Sequence, residues 1–116
     1  MRALPYLKTA VILFLVDLFW ILTGGIFFRD MIENIQGEQL RPRWLSAALV
    51  YLFMAYMLLE TSSYLQAFIY GICIYAIYDL TNYALFEQYE WKLAVADILW
   101  GGLLFTFVRY LLLHVF

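Results

Sequence analysis

The sequence predicts an all-α polytopic membrane protein: one domain over residues 1–116, a bundle of four transmembrane helices with a short interfacial segment between the first two. Three observations predict it. The chain is 66% hydrophobic and only 14% charged, whereas an average globular protein is about 25% charged. A small chain has the most surface to cover per residue, so the apolar excess must face something other than water. The apolar residues also gather into four runs close to the roughly 20 helical residues that cross a bilayer. Those runs are far longer than barrel strands of about 9–11 residues and show no alternation.

The first run, Thr9 to Phe28, is TAVILFLVDLFWILTGGIFF. Arg2 and Lys8 precede it as in a signal peptide, but the run is too long, Asp17 interrupts it, and no A-x-A-like site follows. Between Arg29 and Arg43, Met31, Ile32 and Ile35 alternate with acids in the manner of a short interfacial helix that ends at Gly37 and Pro42. The second run, Trp44 to Leu59, has small residues at Ala48 and Ala55 on one face with Tyr51. The third, Leu65 to Phe86, and the fourth, Leu93 to Phe116, follow loops so short that antiparallel hairpins are forced. Trp44, Tyr64, Tyr89 and Trp91 stand at predicted helix ends, where amphipathic rings favour the headgroup region. Arg109 is expected to snorkel to headgroups, and Cys73 to be a small buried hydrophobe. Four spans place Arg2, Lys8 and Arg109 on one side and Arg29, Arg41, Arg43 and Lys92 on the other, too even a split to fix orientation.

Three carboxylates interrupt the apolar runs: Asp17, Asp79 and Asp97. Each costs about 2.5–3.5 kcal/mol at a helix centre. Asp17 lies eleven residues before Phe28, about 16 Å below that interface. Asp79 and Asp97 are shallower and come nearly level across the last hairpin. Helical spacing aligns Gly71, Tyr75, Asp79 and Asn82 in one stripe bordered by Tyr78, and Asp97, Trp100 and Gly101 in another. D-x-x-W occurs twice, at Asp17–Trp20 and Asp97–Trp100, and an indole N–H is a donor suited to a carboxylate. Turned inward, these faces give a polar bundle interior of Trp20, Tyr51, Tyr75, Tyr78, Asn82, Trp100 and Gly101 around three proton-binding or transport candidates, Asp17, Asp79 and Asp97.

The quoted residues carry a family resemblance. Y-x-x-Y-D-x-T-N at Tyr75–Asn82, D-x-x-W-G at Asp97–Gly101 and D-x-x-W at Asp17–Trp20 resemble the predicted membrane proteins called domain of unknown function 2177. The resemblance runs through all four helices. It implies a small four-helix integral membrane protein whose family features are these residues, and it brings no activity.

A net charge of −2 supplies no basic patch for nucleic acid. One Cys and one His near the C-terminus match no common nucleophile or metal template, so no catalytic residue and no cofactor is assigned. The buried acids point to a transporter or channel for protons or cations. Asp17 would be the main carrier, with Asp79 and Asp97 as an outer acidic site that leaves metal binding open. Four helices enclose little volume, so transport calls for a homo-oligomer, with a parallel or antiparallel dimer as the simplest. The alternatives are a structural or assembly subunit whose acids bond partner helices, and an intramembrane lipid-modifying enzyme or accessory factor. Each of these readings has the lipid bilayer as a partner.

Overall fold

Five helices and no strand make up residues 2–116, the residues that the computed structural model describes. Helix α1, Leu4–Leu22, starts with a proline in its first turn, where the missing N–H is not needed. It stops well before Phe28. The Thr23 hydroxyl donates back to the Phe19 carbonyl at 2.7 Å, a bond that bends helices, and the chain turns at Thr23. Gly24 then opens α2, Gly24–Gln36, with the Trp20 indole over it: a Cβ at Gly24 would stand 2.6 Å from that ring. The interfacial segment is therefore a full helix that takes in the end of the expected first span. Gly37, in the left-handed region at φ 78°, ends it.

Helix α3 covers Trp44–Leu59. Helix α4, Tyr64–Leu85, is capped by Ser63, whose hydroxyl accepts from Gln66 N–H at 3.0 Å, while Gln66 Oε1 accepts from Ser62 N–H at 2.6 Å. Helix α5 covers Trp91–His114. Helices α1 and α5 are long and apolar enough to cross a membrane, and α3 is a shorter apolar helix.

Packing is closest between α4 and α5. Gly71 and Gly101 bring the two backbones into contact, since a Cβ on Gly101 would lie 2.7 Å from the Gly71 carbonyl oxygen. Helix α1 packs against both α3 and α5. Its antiparallel course along α5 is set by Lys8 Nζ, which donates to the Phe116 carbonyl at 2.8 Å, and by the aspartate–tryptophan pairs described below. Leu13, Leu58, Leu104, Phe105 and Val108 form the core. A second, smaller cluster lies where α2 folds over the α4–α5 hairpin, with Met31, Tyr89 and Ala94 buried together.

Three expectations change. Arg109 does not reach outward: its Nη1 donates to the Thr61 carbonyl at 2.8 Å and to Thr61 Oγ1 at 3.0 Å, tying α5 to the α3–α4 loop. Tyr89 is 2% exposed and no member of an interfacial belt, because α2 covers it. Cys73 faces outward.

Candidate functional site: a buried carboxyl and aromatic cluster

With α1 ending at Leu22, Asp17 is five residues, about 7.5 Å, from the helix end. Asp79 is six residues before Leu85 and Asp97 six after Trp91, each about 9 Å in. All three carboxyls thus occupy one level near the end of the molecule that α2 covers, and all three are buried.

The two D-x-x-W elements interlock. Trp20 Nε1 on α1 donates to Asp97 Oδ1 on α5 at 2.8 Å, and Trp100 Nε1 on α5 donates to Asp17 Oδ1 on α1 at 2.7 Å. In an antiparallel pair, equal i, i+3 spacing puts each acid beside the other helix's tryptophan. The indoles stack between the two bonds, with centroids 5.8 Å apart and planes 16° from parallel. Tyr51 of α3 completes the Asp17 site by donating to Oδ2 at 2.7 Å, and Phe14 packs edge-on against the Tyr51 ring.

Asp79 is fully buried, and its two oxygens differ. Oδ1 accepts from the Tyr89 hydroxyl at 2.7 Å, whereas Oδ2 meets no donor. The Asp97 carboxyl lies within hydrogen-bonding reach of Asp79. Burial, and then the bond to Asp79, push the Tyr89 phenol well above its ordinary value. Tyr75 packs on Gly101. Asn82 is half-buried beside the Tyr78 and Tyr89 hydroxyls. Tyr78 is 53% exposed and stands at the rim of the cluster, not in its interior.

Tyr89 is the residue that sequence reasoning missed as part of the cluster. Its only signal was position, ten residues after Asp79 in a loop too short to carry it far. A pocket of about 590 Å³ opens on that loop, lined by Tyr89 together with Tyr83, Glu87, Trp91 and Lys92. Among the described residues no group of three or more His, Cys, Asp or Glu is arranged to hold a metal.

The family model for DUF2177, described as a predicted membrane protein, matches residues 2–112, and the chain belongs to this family. As a membrane protein it contacts the lipid bilayer. No curated protein and no solved structure matches the chain.

Proposed function

We propose, from membership of a membrane-protein family, that the chain is one domain spanning the bilayer four times, through α1, α3, α4 and α5, and that it carries protons through its carboxyl cluster. The observation that carries this reading is the buried Asp79 Oδ2, without a donor, beside the Asp97 carboxyl. A carboxylate only accepts hydrogen bonds, so two carboxyls in contact need a hydrogen between them. That hydrogen is held in a low-dielectric interior, one phenol away from the pocket at Tyr89. In this reading Tyr75, packed on Gly101, is the step between this pair and the Asp17–Tyr51 bond.

Several features support four spans. The longest dimension is 44 Å, that of a bilayer with its headgroups, about 40–45 Å. Helix α4, at 22 residues, is about 33 Å long. The outer faces of α3 and α4 show Phe53 at 72% and Ile77 at 70% exposure, which suits lipid and not water. Helix α3, at 16 residues, requires local bilayer thinning. A proton suits the site better than a metal cation. The donors Tyr51, Trp100, Trp20 and Tyr89 already occupy most carboxyl oxygens, whereas hard cations take about six to eight oxygen ligands. In this reading a homo-oligomer is the unit that completes the passage.

A second reading is favoured by the reciprocal tryptophan bonds: the cluster is an interhelical clasp, and the chain is a structural subunit. Proteoliposomes with an internal pH dye separate the two. Proton conduction predicts that an imposed pH gradient collapses in wild-type vesicles and persists with Asp79→Asn or Asp97→Asn, both still helical. If the Asn variants move protons like wild type, the reading fails. If wild type moves none while Asp79→Leu unfolds, the clasp reading stands instead.

A further inference from the structure

Two concavities adjoin at the start of α3. The first, about 430 Å³ and almost wholly apolar, runs between α1 and α3 and is lined from Trp44 and Ala48 to Tyr51, Phe14 and Leu7. The second, about 580 Å³, surrounds the start of α3 and contains Arg41, Arg43 and Ser46. Ala47 lines both, so the cationic pocket borders the apolar groove.

Charge favours an anion at the mouth. No carboxylate lines the cationic pocket, and neither arginine is in an ion pair among the described residues. On α2, Glu33 Oε2 accepts from the Leu40 N–H at 3.0 Å, and Glu38 lies in the loop before Arg41. No side chain caps the N-terminus of α3, so its first N–H groups add to the positive field. Length favours a lipid tail below the mouth. Helices α1 and α3 are antiparallel here, since Phe14 packs on Tyr51 and Tyr6 on Tyr56. From Trp44 to Tyr51 and onward from Phe14 to Leu7 is fourteen residues, about 21 Å. One leaflet of hydrocarbon is about 15 Å deep.

We infer that these adjoining concavities bind one anionic phospholipid, its phosphate between Arg41 and Arg43 and one acyl chain along α1 and α3 past Tyr51 toward Leu7. The occupant touches the Tyr51 ring, whose hydroxyl holds Asp17 Oδ2. The site therefore links the lipid to the carboxyl cluster. The inference rests on the reading of α3 as membrane-embedded and is independent of proton movement.

Native mass spectrometry of the detergent-purified protein, titrated with phosphatidylglycerol or phosphatidylcholine, tests it without any flux measurement. Two guanidiniums give the anionic lipid a preference of about 10- to 30-fold. The double variant Arg41→Gln/Arg43→Gln, altered only at exposed positions, keeps its helical signal and binds both lipids alike. Ala48→Phe fills the groove and lowers retention of both. The inference is overturned by equal binding of the two lipids to wild type, or by a preference that survives loss of both arginines. It is overturned equally if inorganic phosphate displaces the lipid at matched concentration, which marks a free-anion site. It also falls if Ala48→Phe dissociates a dimer and leaves lipid retention unchanged, which gives the groove to a second copy. Gradient collapse in proteoliposomes of phosphatidylcholine alone reports separately on the proton pathway.

Discussion

Gly101→Ala tests the closest helix contact in the molecule and, with it, the geometry that brings Asp79 and Asp97 together. The new Cβ would stand 2.5 Å from the Tyr75 ring and 2.7 Å from the Gly71 carbonyl oxygen, against ordinary contacts of 3.4 Å or more. One of the two obstacles is backbone, so a rotamer change cannot clear both. Helices α4 and α5 must part by about 1 Å. Overpacking of this kind costs about 1–3 kcal/mol, and the better helix propensity of alanine returns up to about 1 kcal/mol. The expected net loss is about 1–2 kcal/mol, a fall in Tm of roughly 4–8 °C for a chain of this size. Gly25→Ala is the control, since its Cβ would meet nothing nearer than the Trp20 carbonyl at 3.5 Å. It should match or exceed wild-type stability by up to about 1 kcal/mol. Thermal unfolding in one detergent, followed by far-UV circular dichroism, reads both. If Gly101→Ala melts at or above wild type, the close approach of α4 and α5 is refuted.

The interlocked tryptophans predict coupling. Trp20→Phe and Trp100→Phe each remove one N–H donor, at about 0.6–1.7 kcal/mol, and the double variant should lose less than the sum because the indoles stack on each other; additive losses by denaturant titration would show the two bonds to be independent. Tyr89 predicts an alkaline effect. Its folded value is raised above the unfolded one, so the stability it adds is complete below about pH 10 and disappears as pH rises through the folded value. Tyr89→Phe should therefore flatten the alkaline fall in Tm, and an unchanged slope would place the loss elsewhere.

Much of this arrangement was legible in the sequence, for identifiable physical reasons. The run from Trp44 to Leu59 carries no breaker and reads directly as a helix. The stripes of Asp79 with Tyr75 and Asn82, and of Asp97 with Trp100 and Gly101, follow from helical period alone. The repeated D-x-x-W held the interlock in its spacing, but partners on another helix are invisible until the helices are known to run antiparallel and side by side. The end of α1 was hidden because hydropathy continues through Gly24–Phe28, while the break depends on one Thr23 hydroxyl and on space for the Trp20 ring. Counted to Phe28 and not to Leu22, Asp17 stands six residues farther from the end of its helix. Tyr89 was hidden for a different reason. Its burial comes from α2 folding back through Phe28 and Met31, a tertiary contact that no local pattern encodes.

The hydrogen between Asp79 and Asp97 is the centre of the proposed function, and infrared difference spectroscopy of the reconstituted protein observes it directly. Wild type minus Asp97→Asn should show, at neutral pH, the C=O stretch of a protonated carboxyl that shifts in heavy water. The same band should be missing from Asp79→Asn. A difference spectrum containing only ionised carboxylate bands would contradict it.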